Sequence, residues 1–349
     1  MKPRLRIASR LLCVLFLCGP VSTVYASDST DTEGRHFSNP LLLRNDCPLY
    51  LSLSSTAPPD RARTMKDQRL GWEIGYLNSN YIIEQHNVTE SDRIIVDTEI
   101  QRLELNLRYG LSDDLEVGTW IPYLIMGGGY MDDFIQSFED TFGFVTPGAR
   151  ESRGKNGFQY LFRVNNQNVI NKSNEAIAGL GDIPIQLKYR FRNQSRGWIP
   201  QASVRGVLKV PSASNPLLGN ERFDGAVGVL AEQPIGNRLL ILTDLDLTTA
   251  HLPLALKALD VDPVMVSGMV GAEFFLTQKA SFQTQVAMTT NPYPKFHSDM
   301  TALRRVPMGI GIGGAYRLFK RSAFKLMIAE NVFSAWSDFS WSASLQGEF

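Results

Sequence analysis

Residues 338–349 read Asp338-Phe339-Ser340-Trp341-Ser342-Ala343-Ser344-Leu345-Gln346-Gly347-Glu348-Phe349, and the stretch sorts into two lists by parity. Phe339, Trp341, Ala343, Leu345, Gly347 and Phe349 are apolar or small, whereas Asp338, Ser340, Ser342, Ser344, Gln346 and Glu348 are polar. Successive strand residues point to opposite faces, so a strand this long with one apolar and one polar face has the pattern of a barrel wall between lipid and water. No helical period separates the two lists.

Upstream the same alternation recurs. Leu103, Leu105, Leu107 and Tyr109 stand opposite Glu104, Asn106 and Arg108, and a tight turn at 110–114 leads into Leu115, Val117, Thr119, Ile121 and Tyr123, which makes a hairpin. Ile183, Ile185, Leu187, Tyr189 and Phe191 alternate with Gln186, Lys188 and Arg190 in the same way. Further strands are expected at 199–210, 224–233, 239–249, 264–276, 280–290, 308–318 and 324–333, joined alternately by short turns and long connections. Counted from Leu70, the wall has about 12 strands, and bacterial single-chain barrels use even numbers, with short turns periplasmic and long loops extracellular. The expected fold is all-β: an antiparallel up-and-down transmembrane β-barrel with an amphipathic helix in a long extracellular loop. A soluble β-sandwich fits neither the terminal strand nor the loop asymmetry.

Average composition hides this character. Of the residues, 44% are hydrophobic and 20% charged, ordinary values for a soluble protein, because a barrel distributes its apolar residues by alternation. The one sustained apolar run, Leu11 to Leu17, follows Lys2, Arg4, Arg6 and Arg10 and precedes Val24-Tyr25-Ala26. That is the pattern of a secretory signal peptide over residues 1–26. Its removal takes four basic residues from a balance of 35 against 35, leaving 31 against 35, a net charge of −4. Such a balance offers no basic surface for nucleic acid. Cys13 and Cys18 leave with the leader, Leu17 is too large for a lipoprotein site before Cys18, and Cys47 remains without an intrachain partner. Residues 27–68 are expected to be a periplasmic or lumenal segment, with Cys47 to Ser54 left out of the wall because it would make the strand count odd. Residues 69–349 are expected to form the barrel.

Charges cost about 2 to 4 kcal/mol on a lipid face at midplane, so parity assigns Glu104, Arg108, Lys188, Arg190, Arg205, Asp244, Asp246 and Glu273 to the lumen. Their signs are mixed, which suits ion pairs that brace a narrow lumen as well as it suits a polar path. The connection from 127 to 178 exceeds the length of ordinary loops. In it Met131, Phe134, Ile135, Phe138 and Phe142 recur at helical spacing, with Asp132 or Asp133 to cap the start. This helix is expected to cover the barrel rim, to act as a lid in its mouth, or to lie in the outer leaflet. Arg150, Arg153 and Lys155 behind it have the charge to meet lipopolysaccharide phosphates, although a solvated loop explains them as well. Aromatics near strand ends, among them Trp72, Tyr76, Trp120, Tyr189 and Trp336, are expected to form interfacial girdles.

Catalytic chemistry finds no support. His36, His86, His251 and His297 show no metal-ligand spacing, and His297-Ser298-Asp299 are neighbours on one loop rather than a folded triad. No cofactor is expected. The terminal strand, with Phe339, Trp341, Leu345 and a carboxy-terminal Phe349, resembles the signal by which bacterial barrels are recognised by their assembly machinery.

The loop text at 128–152, the opening Asn39-Pro40-Leu41-Leu42-Leu43-Arg44-Asn45-Asp46 and Glu330-Asn331 resemble an uncharacterised proteobacterial family of outer-membrane proteins known only as a domain of unknown function. That resemblance implies a barrel in the outer membrane, in contact with its lipid and lipopolysaccharide, and carries no assigned functional residues. More broadly, the hairpins at 109–123 and 179–191 are similar to those of barrels implicated in uptake of apolar or aromatic compounds. Two expectations follow: a passive channel or transporter for small molecules, apolar ones included, gated by the loop helix; or a non-transporting structural or surface-interaction barrel whose lumen is sealed by ion pairs.

Overall fold

A computed structural model describes residues 38–349 except 55–56, 143–155, 194–198, 250, 254–255, 257–258, 260, 294–298 and 334, and the side chains of 54, 138, 139 and 142 are likewise outside it. The strands in chain order are β1 (Leu70–His86), β2 (Arg93–Ser112), β3 (Leu115–Gly127), β4 (Gln159–Val164), β5 (Gln167–Ser173), β6 (Ile177–Leu180), β7 (Ile183–Arg192) and β8 (Gln201–Val210). They continue as β9 (Asp224–Ile235), β10 (Leu239–Thr249), β11 (Val264–Phe275), β12 (Ala280–Thr289), β13 (Met308–Phe319), β14 (Ser322–Phe333) and β15 (Phe339–Glu348).

Twelve of these close a ring of antiparallel neighbours, β1-β2-β3 and then β7 through β15. The seam joins β1 to β15 from Gly71 opposite Glu348 to Asn80 opposite Phe339. Closure pairs every strand on both sides, the condition for a sheet in hydrocarbon, where an unpaired backbone group has no water to turn to. Along β10 the alternation is plain: Asp244 and Asp246 are buried inside, while Leu245 and Leu247 are 57% and 49% exposed outside. Phe349 completes the seam by stacking its ring on Trp72 and donating its backbone N–H to Leu70 O at 2.9 Å. Trp72 also fills the space above Gly347, where a Cβ would come within 2.8 Å of the indole. Replacing Phe349 by Ala is expected to lower the yield of heat-modifiable folded barrel; an unchanged yield on denaturing gels would remove the seam-closing role.

The remaining strands correct the reading of the 127–178 connection, which is more than a helix and a loop. β4 takes over the edge of β2 above the end of β3, β5 pairs with β4, and β6 pairs with the upper part of β3. The β4–β5 turn is Asn165-Asn166 with φ of 49° and 63°, the left-handed pair that a two-residue hairpin requires. Two aromatics are also corrected. Trp120 and Trp336 are buried inside the barrel, Trp120 on the parity of Glu116 and Gly118, so neither belongs to an outer girdle.

Candidate functional site: the occupied lumen

Of the residues before β1, 38–54 and 57–65 run through the barrel interior. The segment begins among inward side chains of several strands: Ser38 Oγ donates to Glu273 Oε1 at 2.7 Å, and Asn39 Nδ2 donates to Glu73 Oε2 at 2.8 Å. Lys325, which pairs with Glu73 at 2.7 Å, donates to Pro40 O at 2.7 Å. Farther along, Arg44 pairs with Glu104 at 2.8 Å, and Asp46 accepts two bonds from Arg102 at 2.6 and 3.0 Å.

At the end of the barrel with the long connections the chain turns. Cys47, Leu49, Tyr50, Leu51 and Leu53 pack there into an apolar cluster with Tyr81, Val96, Leu124, Tyr160, Phe162 and Tyr293. The turn ends in one short helix, Leu51–Ser54, so Cys47 to Ser54 is no wall strand. Tyr50 Oη donates to Ala302 O at 3.2 Å, and Tyr293 Oη donates to Leu49 O. Burial pushes the Cys47 thiol up to about 12, which makes it an inert core group rather than a nucleophile.

The chain then descends to the other end. Pro58 O accepts from Arg205 at 2.7 Å, and Asp60 meets Lys188 at 2.9 Å, Gln186 at 2.8 Å and Arg108 at 3.5 Å. Lys188 and Arg108 thus neutralise the buried Asp60 carboxylate. Arg61, itself fully buried, forks onto Glu232 with bonds of 2.7 and 3.0 Å. Met65 N–H donates to Glu116 at 2.7 Å, and Arg69 O accepts from Gly110 N–H at 3.0 Å just before β1 begins.

Wall residues also neutralise one another. Arg205 bonds both carboxylate oxygens of Asp246, at 2.8 and 2.5 Å, and stands 3.9 Å from Asp244. Lys209 joins Asp182 at 2.7 Å and Asp224 at 2.8 Å, with the His251 ring beside the latter. Thus Glu104, Arg108, Lys188, Arg205, Asp244, Asp246 and Glu273 all lie inside, and their mixed signs are matched by partners. Arg190 shares their parity but sits at the short-turn rim, paired with Asp114 at 2.9 Å.

The loop helix is placed differently from a lid. It spans Asp132–Phe142, but its buried residues Met131 and Ile135 pack against Phe339 and Trp341, whose parity is outward. Phe134 leans on Phe339 at 5.7 Å, and Tyr130 Oη meets Tyr76 Oη at 3.2 Å on the same outer side. Below it, the Glu99 carboxylate accepts the backbone N–H groups of Tyr130 and Met131. Met131, Phe134 and Ile135 therefore lie against the outside of the wall, because the apolar surface open to them is the outward row of β15 rather than the polar lumen. The ring positions of Phe138 and Phe142 lie outside the described residues, as do Arg150, Arg153, Lys155, His36, His297 and Ser298. Trp341 tilts onto Tyr76 at 5.2 Å and Leu345 faces outward. Among the described residues no group of three His, Cys, Asp or Glu side chains is placed to hold a metal.

The interior segment itself was the part least visible in sequence, since only Leu49, Leu51 and Leu53 alternate in it, a pattern that a wall strand would share; its further signal is the cluster Arg44, Asp46, Asp60, Arg61 in a stretch otherwise rich in leucine. The β4–β5 hairpin had a readable signal in Asn165-Asn166 between Tyr160, Phe162 and Ile170.

A 12-strand ring with an apolar exterior and an interior occupied by the segment that precedes β1 defines a closed antiparallel β-barrel with an internal plug. The chain belongs to the family described as protein of unknown function (DUF3187), which it matches over residues 47–347. No match was found among curated proteins. Among solved structures it is similar to the COG4313 outer membrane channel from Pseudomonas putida F1, with a TM-score of 0.55 at 10% identity, covering 84% of this chain and 100% of that one. That likeness shows the shared fold. The toluene transporter TbuX of Ralstonia pickettii aligns at a TM-score of 0.42 and 8% identity over 82% of this chain and 90% of its own. A FadL homologue of Pseudomonas aeruginosa aligns at 0.40 and 8% over 93% and 98%.

Proposed function

We propose that this protein is an outer-membrane channel for small molecules, apolar ones included, exported by its leader and held shut by its own residues 38–68. The observation that carries this reading is how the interior segment is held. Arg44, Asp46, Asp60 and Arg61 are matched to wall charges of Glu104, Arg102, Lys188 and Glu232, so the plug docks on an inner wall that is polar without it. At the end with the long connections the inner wall turns apolar, with Ile83, Ile94, Val96, Ile100, Leu124 and Met126 facing Leu49, Leu51 and Leu53 of the plug. That lining supports cargo with apolar surface, since pockets for small molecules are mostly apolar with few polar groups. Outer-membrane lipid, lipopolysaccharide and the barrel-assembly machinery are the partners this reading implies.

The same ionic filling also favours a barrel that transports nothing and is sealed by ion pairs. Planar-bilayer conductance separates the two. The refolded protein lacking 38–68 is expected to conduct, the intact chain to stay closed, and deletion of 131–142 to leave the intact chain closed, because the helix lies outside. Silence of the plug deletion, with the barrel folded, would favour the sealed reading; opening by the helix deletion would restore the lid.

A further inference from the structure

The outer wall carries an open depression. Gly206 on β8 and Gly225 on β9 both face outward and are diagonal neighbours, since Gly206 pairs with Val227 and Leu208 with Gly225. Around them Val117, Leu187, Leu208, Val227, Leu247 and Val264 line a depression of about 690 Å³. It crosses from β3 to β11, five strand spacings or about 24 Å, so it is elongated.

Neither glycine is explained by the protein's own packing. A Cβ on Gly206 would meet nothing within 4 Å, and one on Gly225 only Val207 O at 3.7 Å. Neither is among the described glycines of positive φ. A strand glycine costs about 0.5 to 1 kcal/mol relative to alanine, and such glycines are found at bulges, at tight bends of a barrel and where something else approaches closely. Gly347, on the other side of the barrel, shows the contrast: there Trp72 fills the space.

A charge beyond the lining residues, in the connection that leads into β9, says what kind of molecule fits. Arg222, three residues before Gly225 and next to the exposed Glu221, is itself exposed, and among the described residues no ion pair engages its guanidinium. Beside it Phe223 is also exposed. Both stand in the 211–223 connection, one of the long ones, which the topology rule places on the extracellular side. We infer that the hollow is a binding site for one acyl chain of an anionic phospholipid of the outer leaflet, with the phosphate held at Arg222. An arginine at the membrane surface contributes about 1 kcal/mol toward an anionic lipid, and its planar fork suits a phosphate. The inference rests on the outer face lying in a membrane, not on the lumen conducting.

The test uses the full mature chain refolded into phosphatidylcholine vesicles doped with either phosphatidylglycerol or phosphatidylcholine bearing a photoactivatable diazirine in one acyl chain. Cross-links are expected to concentrate on peptides carrying 206–208 and 225–227, and to fall at least several-fold in Gly206→Leu and Gly225→Val, each checked for heat-modifiable folding. Arg222→Gln is expected to reduce the preference for phosphatidylglycerol about fivefold. Labelling spread evenly around the wall, as strong at Leu326 and Ile328, would overturn the site. Unchanged lipid labelling with loss of a cross-linked dimer in Gly206→Leu would assign the hollow to a second copy and overturn it too. Failure of the folded protein to enter vesicles would overturn the membrane placement itself, a result distinct from even labelling.

Discussion

Glu232→Ala is expected to expose the plug to trypsin at Arg61 and Arg63 more than a hundredfold faster than in the unaltered protein. Arg61 is fully buried and its guanidinium is forked onto Glu232, which also accepts the backbone N–H of Arg63 at 3.1 Å. Deleting one partner of a buried pair leaves a charge without water or counter-ion, at a cost of about 3 to 5 kcal/mol. Each 1.4 kcal/mol is tenfold, and cleavage of a transiently opened segment follows its open population. The cost falls on the docked state, because in the released state Arg61 returns to water. Replacing both partners by apolar residues, Arg61→Met with Glu232→Leu, is expected to restore most of the protection at Arg63, the site that all three proteins keep, since an apolar pair of similar volume is near neutral. Equal cleavage at Arg63 in all three proteins would mean that the plug is not held by this pair.

Arg205→Ala is expected to lower the stability of the whole barrel, by about 3 to 5 kcal/mol. Its guanidinium holds both oxygens of Asp246, stands near Asp244 and donates to Pro58 O of the plug. Without it two carboxylates, two residues apart on one face of β10, remain buried side by side. The denaturant midpoint of the refolded barrel reads this effect. Arg205→Lys is expected to fall between, because a single ammonium cannot reproduce the fork. The double change Arg205→Ala with Asp246→Ala should recover part of the loss, one carboxylate being gone. A shift under about 1 kcal/mol for Arg205→Ala would show that water reaches the pair and that the lumen here is not dry.

Much of this architecture was legible in the chain. The wall strands, their hairpins and the inward parity of Glu104, Lys188, Arg205 and Asp246 agree with the alternation. Even Glu73, flanked by Gly71 and Gly75, faces inward, where it pairs with Lys325. What alternation misassigned is instructive. Trp120 was grouped with outer aromatics because of its position near a strand end, yet its even parity on β3 places it inside. The loop helix has the spacing of an amphipathic helix, which says that it has an apolar face and nothing about which surface covers that face. Its seat was set by Phe339 and Trp341, two hundred residues away in the chain.

Alternation is a local property: each strand of period two declares its own apolar side, so closure of a wall with a polar interior follows from the sequence by itself. The contents of that interior do not. Asp60 meets Lys188, Arg61 meets Glu232 and Ser38 meets Glu273 only because closing the ring brings together residues 128, 171 and 235 positions apart. A charge has no period and no direction along the chain; its partner is chosen by desolvation once the wall surrounds it. The tertiary structure therefore decided that the segment before β1 fills the barrel, that the helix lies outside it, and that the depression at Gly206 and Gly225 is left without a side chain to fill it.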